Sequence, residues 1–135
     1  MYLKKYLCLS TMLMLLWIGA VSGAPGVKVV YPDWFKQSFY DLKDDLQEAV
    51  DEDKQGLAVF FSEKSCSYCK AMVERTFGEA DIAQSLNANF DVVGLDVFSD
   101  LELVDTKGNA HLVKDFAVQE RAQFTPTMVF YDKNG

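Results

Sequence analysis

Histidine and cysteine are both scarce in this chain. Its 135 residues include one histidine, His111, and three cysteines, of which Cys8 lies near the N-terminus. A structural zinc site needs four ligands, usually drawn from Cys and His pairs, and a disulfide-stapled fold needs several cysteine pairs. The shortage disfavours both classes and leaves Cys66 and Cys69 as the pair that can carry chemistry.

Basic residues are few relative to acidic ones. Thirteen Lys and Arg stand against 20 Asp and Glu, which gives a formal net charge of −7. Binding to nucleic acid or to anionic lipid calls for a basic patch, so this balance argues against both as partners. The length is typical of one domain, and a 50% share of hydrophobic residues is enough for a packed core.

The N-terminus has the layout of a secretory signal peptide. Lys4 and Lys5 precede an almost wholly apolar stretch at 7–20, and small residues follow at 21–24. The apolar stretch is shorter than the roughly 20 residues of a membrane-spanning helix, so we expect cleavage after Gly23 rather than a retained anchor. The predicted organisation is a signal peptide at 1–23, a linker at 24–32 and one domain at 33–135. The mature chain would then lie in the periplasm or another extracytoplasmic space.

The motif that carries chemistry is Cys66-Ser67-Tyr68-Cys69. It lies between an apolar run at 57–61 and a helical pattern at 70–75. Unpaired N–H groups at a helix N-terminus favour a thiolate on Cys66, and a thiolate is the species that attacks disulfides. Cys69, one turn further on, can resolve the mixed disulfide. A purely structural disulfide is the alternative, although so short a loop removes little entropy from the unfolded chain.

The rest of the chain predicts alternating helices and strands. We expect an amphipathic helix from Asp33, its cap, to about Val50, with an apolar face formed by Phe35, Phe39, Leu42, Leu46 and Ala49. Further helices are predicted at 69–75, 80–88 and 115–121, strands at 57–61, 90–97 and 127–131, and a hairpin at 101–113 around a turn at 105–109. This order predicts an α/β fold with a central sheet covered by helices.

Several conspicuous side chains are interpreted as structural. Trp34 is expected to pack at the helix entry, with a place in a contact surface as the alternative. His111 is expected to be a solvated strand residue. The acidic residues of the first helix and the loop after it are interpreted as a solvated face: Asp41, Asp44, Asp45, Glu48, Asp51, Glu52 and Asp53.

Two segments together resemble the thioredoxin superfamily. They are 60–70, which contains the two cysteines, and 124–135, which contains Thr125-Pro126-Thr127 and an apolar strand. More narrowly, the chain is similar to the exported SoxW-like thioredoxins, in its tyrosine before Cys-Lys, its helix–break–helix region after the motif and its hairpin before the proline. The resemblance covers about residues 33–135. It implies a thioredoxin-like fold, a central mixed β-sheet flanked by helices, with an inserted hairpin.

The sequence stops at a turn directly after its last predicted strand. Asn134-Gly135 is a pair that normally leads into a partner strand. An unpartnered apolar strand would be an aggregation-prone edge. We therefore expect a fragment in which the C-terminal strand and helix of the fold are missing.

The resemblance implies a thiol-disulfide oxidoreductase. Cys66 would attack the substrate disulfide, Cys69 would resolve it, and Ser67, Tyr68 and Lys70 would form the surroundings of the thiolate. Thr125 and a cis Pro126 would hold the substrate backbone. No metal or organic cofactor is expected.

The partners implied are disulfide-bearing proteins, with sulfur carriers or apocytochromes among them, and a membrane thiol-electron donor. Reduction is the preferred direction. An oxidase or isomerase, a binding module with an inert disulfide, and a Cu(I) chaperone are the alternatives.

One position departs from the family pattern. Many thioredoxins carry a buried carboxylate six positions before the first cysteine, where it helps to move the proton of the second. Phe60 occupies that position here. Glu63 is nearer the cysteines, but the sequence does not indicate that it is buried, and water is the other candidate for this proton.

Overall fold

The computed structural model describes residues 26–135, so the predicted signal peptide and Cys8 lie outside the described residues. Its elements, in chain order, are α1 Leu42–Asp51, β1 Gly56–Ser62, α2 Ser67–Ala71 with a π-helical continuation at Met72–Thr76, α3 Ala80–Asn89, β2 Phe90–Asp96, β3 Glu102–Val104, β4 Ala110–Leu112, α4 Val113–Gln119 and β5 Thr127–Asp132. Within 26–135, no helix is long and apolar enough to cross a bilayer.

Strand β1 lies at the centre of a three-stranded mixed sheet in the order β2-β1-β5. It pairs in parallel with β2, from Gly56 opposite Phe90 to Ser62 opposite Asp96, and antiparallel with β5. Every residue of β1 is buried, as expected for an apolar strand covered on both faces. This mixed sheet with flanking helices confirms the predicted α/β fold class.

The two faces of β1 belong to different cores. Leu57, Val59 and Phe61 pack with residues of α1 and α4. Ala58 and Phe60 point to the opposite face because successive strand residues alternate. There they pack in a cluster that also holds Phe35, Phe77 and both cysteines of the motif. The second core is therefore the layer beneath the cysteine pair.

The predicted helix from Asp33 is wrong in its first half, because α1 begins only at Leu42. Asp41 is its N-cap, and its carboxylate accepts the Asp44 N–H at 3.0 Å. Tyr40 has φ 65°, a left-handed conformation that interrupts a right-handed helix. Residues before it form a loop on the sheet, in which the Lys36 N–H binds the Val92 carbonyl at 2.8 Å. Phe39, placed on the predicted apolar face, is 98% exposed.

The sequence predicted that the acidic face of α1 is solvated. This is wrong for Asp45, which is buried. Its side chain points toward the loop that precedes the helix, where the Ser38 hydroxyl donates to it. Burial raises the pKa of the Asp45 carboxyl, and the bond from Ser38 offsets only part of that effect. This carboxylate therefore helps to position the loop.

The predicted hairpin is confirmed, with β3 and β4 antiparallel, and its turn is organised by Asp105. The buried Asp105 carboxylate accepts N–H groups from Lys107 at 2.9 Å and from Asn109 at 2.8 Å. His111 Nε2 lies 2.9 Å from the same carboxylate, so the prediction of a merely solvated histidine was wrong. Burial raises the pKa of Asp105, but these hydrogen bonds outweigh it and hold the pKa well below its ordinary value.

A third buried carboxylate, Asp91, lies at the start of β2. It pairs with Lys54 from the α1–β1 loop and with Lys36 from the loop before α1, at 2.5 and 2.9 Å. Burial raises the pKa of Asp91, yet the two ammonium groups reverse the effect and leave it lowered. This cluster fastens two loops to the end of the sheet opposite the cysteines.

Candidate active site

The cysteine pair lies at the carboxyl end of β1, where the chain turns into α2. Cys66 is the N-cap of α2, and its Sγ accepts the Cys69 N–H at 2.9 Å. The two sulfurs form a disulfide with an S–S distance of 2.07 Å and a Cα–Cα distance of 5.2 Å. The Cys69 amide is therefore the helix N–H group that contacts the first sulfur, as the sequence predicted.

The two cysteines differ in burial. Cys66 is 6% exposed and Cys69 is 0% exposed, so both are buried and Cys66 is the less enclosed residue. A nucleophile must be reachable by the disulfide that it attacks, whereas a resolving thiol needs to reach only its neighbour.

The loop before β5 brings Thr125 beside Cys66. The Thr125 hydroxyl donates to Cys66 Sγ at 3.5 Å across 59 positions of sequence, and the following Thr125–Pro126 peptide bond is cis. Next to them in the chain, Phe124 is 86% exposed. A hydroxyl donor at the sulfur stabilises the thiolate form, and the segment forms an open wall next to the reactive pair.

This arrangement has a counterpart among known families. The family described as thioredoxin-like domain matches residues 42–135. The chain belongs to the thioredoxin-like domain family. No curated protein sequence matches it. Together with a CxxC pair at disulfide distance, the family indicates a thiol-disulfide oxidoreductase.

The two residues between the cysteines of this thioredoxin-like domain face solvent. Ser67 is exposed, and Tyr68 is 81% exposed, which leaves both free to contact a substrate. Lys70, predicted as part of the thiolate's surroundings, forms an ion pair with Glu74 one turn further along the helix. The Glu74 carboxylate therefore partly neutralises the Lys70 charge, which weakens its effect on Cys66.

Beneath the pair, the thioredoxin-like domain presents aromatic rings in place of a carboxylate. Phe60 is fully buried in the same cluster as both cysteines. Its ring centroid lies 5.2 Å from that of Phe77 and 6.1 Å from that of Phe35. Trp34 packs edge-on against Phe35, which confirms that it packs, but it lies in a loop and not at the predicted helix entry. No proton acceptor is supplied at this position.

A hydroxyl pair below the site was not identified from the sequence. The buried Ser62 lies on the same face of β1 as Phe60, and its Oγ is 2.7 Å from the Tyr31 hydroxyl. The Tyr31 ring rests on Gly94, where a Cβ would approach it to 2.5 Å. A glycine inside a strand is a signal of such close approach, so Gly94 could have indicated that a bulky group crosses β2.

The described residues contain no larger cluster of side chains that could ligate a metal. Among residues 26–135, no three His, Cys, Asp or Glu side chains are grouped so that they could hold a metal ion.

Proposed function

We propose that this protein is an exported thiol-disulfide oxidoreductase that reduces protein disulfides, of the SoxW-like kind. The observation that carries the proposal is the position of Cys66: it caps α2, it is the less buried of the two cysteines, and Thr125 donates to its sulfur. The family match supports the type of chemistry. The layout of residues 1–23 supports export to the periplasm or a similar compartment.

The proposed reaction moves two electrons from the protein to its substrate. The Cys66 thiolate attacks one sulfur of the substrate disulfide, that S–S bond breaks, and one substrate thiolate leaves. Cys69, once deprotonated, attacks Cys66 Sγ in the mixed disulfide, which releases the second substrate thiolate and forms the Cys66–Cys69 disulfide. The released thiolates take up protons from water. A membrane thiol-electron donor would return the protein to its dithiol form.

The direction of electron flow follows from the reduction potential of the Cys66/Cys69 couple. Equilibration of the protein with glutathione buffers of known ratio, read out by alkylation of free thiols, measures that potential. We expect a value well below that of glutathione, as suits a reductase. A value well above it would contradict reduction and indicate an oxidase.

Trapping tests the roles of the two sulfurs. We expect Cys69→Ser to accumulate a mixed disulfide with a disulfide-bonded substrate protein, visible as a mass shift on a non-reducing gel that reductant reverses. Cys66→Ser is the matched control and should form none. If Cys66→Ser retained the protein's physiological activity, a binding module with an inert disulfide would replace this proposal.

A further inference from the structure

A cavity of about 620 Å³ opens next to the cysteine pair. One wall is the segment that leads into the motif: Ser65 directly precedes Cys66, and the Glu63 carbonyl accepts the Cys66 N–H at 3.2 Å. The rest of the lining is Tyr40, the last residue of β2, Asp96, and residues 98–101 of the loop that follows it. The volume falls within the range of about 300–1,000 Å³ that is typical of ligand pockets.

The lining of this cavity carries more negative than positive charge. It contains three carboxylates, Glu63, Asp96 and Asp100, against one ammonium group, that of Lys64. Lys114 binds Asp100 at 2.6 Å from outside the cavity. Within the described part of the chain, neither Glu63 nor Asp96 has a basic ion-pair partner.

The same cavity presents exposed aromatic surface. Phe98 is 71% exposed and belongs to the lining together with Tyr40. The Phe98 backbone is held by Asp96, whose Oδ1 accepts its N–H at 3.0 Å. An aromatic face next to carboxylates is suited to a planar guanidinium, which can stack on the ring while its N–H groups bind the oxygens.

We infer that this cavity binds a basic side chain of the substrate protein, arginine in preference to lysine, close to the disulfide that Cys66 attacks. The inference rests on the proposed function and specifies its substrates. Glu63 and Ser65 line the cavity and are within three residues of Cys66. A substrate side chain bound in the cavity would therefore belong to a residue close in sequence to the attacked cysteine. The cavity would thus select substrates in which arginine flanks a cysteine.

The test compares disulfide-bonded peptides that differ only in the residue flanking the attacked cysteine: arginine, lysine, glutamine or glutamate. The reduced protein is mixed with each peptide at low ionic strength, and kcat/KM for disulfide reduction is measured. We expect the arginine peptide to react roughly five-fold faster than the glutamine peptide, with the glutamate peptide slowest, as partly exposed charge pairs contribute modestly. The differences should shrink with added salt because of screening.

Glu63→Gln should lower the arginine-to-glutamine ratio about three-fold, since one charge pair is lost, and Phe98→Ala should remove the preference for arginine over lysine. The matched control is Glu79→Gln, because Glu79 is exposed and makes no capping hydrogen bond. It should leave the ratio unchanged. The ratio is taken within each variant, so a general loss of folded protein cancels.

The outcomes separate this inference from the proposed function. Equal rates for all peptides with the unaltered protein, or equal effects of Glu63→Gln and Glu79→Gln, would overturn the arginine preference and leave the reductase intact. Failure to reduce any peptide would overturn the proposed function and the inference with it.

Discussion

At the residue scale, Phe60 sets this site apart from the family pattern. Its ring fills the space below the cysteines where a carboxylate is common, and it contacts Phe77 and Phe35 edge-on. An aromatic cluster gains from burial and from such edge contacts, but it offers no base for the Cys69 proton. Phe60 therefore stabilises the core beneath the redox pair but takes no part in proton transfer at Cys69.

Phe60→Ala should lower the free energy of unfolding by about 3–5 kcal/mol, because it leaves a cavity in the second core. Phe39→Ala is the matched control: its ring is 98% exposed, and its loss should change stability by no more than about 0.5 kcal/mol. Urea unfolding of the oxidised protein, followed by circular dichroism, measures both. A comparable cost at Phe39 would show that this ring is buried in solution.

At the element scale, the start of α1 illustrates how a helical period can mislead. Phe35, Phe39, Leu42 and Leu46 have the spacing of one helix face, yet Phe35 packs in one core and Leu42 and Leu46 pack in the other. The left-handed Tyr40 and the capping Asp41 separate the two segments. The loop before the helix is therefore free to cross the sheet and to deliver Tyr31 and Lys36.

Asp41→Ala should cost about 1 kcal/mol of stability, since it removes the side chain that caps α1. Asp33→Ala, at the position where the sequence predicted the cap, should stay within about 0.5 kcal/mol of the unaltered protein. The same urea unfolding experiment distinguishes a helix capped by Asp41 from one capped by Asp33. A larger loss for Asp33→Ala than for Asp41→Ala would favour the longer helix.

At the scale of the whole molecule, two buried carboxylates hold loops in place, one between distant segments and one within a single turn. Asp91 joins two loops to the foot of the sheet, and Asp105 closes the hairpin turn with backbone N–H groups and His111. Both have a pKa below the ordinary value in the folded state. Their contribution to stability is present above the unfolded pKa of about 4 and is lost as the pH falls through the folded pKa.

Acid should therefore weaken the fold progressively below about pH 5, because the unfolded chain then binds more protons than the native one. Asp105→Asn should reduce stability at pH 7 by roughly 1–3 kcal/mol and make the loss between pH 5 and pH 2 shallower. Asp33→Asn, at an exposed position, is the control and should retain the full slope. Urea midpoints across this pH range test the prediction. A slope in Asp105→Asn equal to that of the unaltered protein would contradict it. Asp45 has a raised pKa in the folded state, so its protonation at low pH favours the native state and opposes this loss of stability.

The sequence by itself determined the reactive pair, the α/β class and most of the strands and helices. These depend on short-range patterns: two cysteines three positions apart at a strand-to-helix junction, and apolar runs of strand length. The resemblance added Thr125 and Pro126 as partners of Cys66. The tertiary structure alone decided where α1 begins, which cysteine is less buried, that Tyr31 contacts Ser62 over Gly94, and that Glu63 and Asp96 share one cavity. The physical reason is that burial and side-chain contacts join segments tens of residues apart. The local spacing of apolar and polar residues carries no information about such contacts.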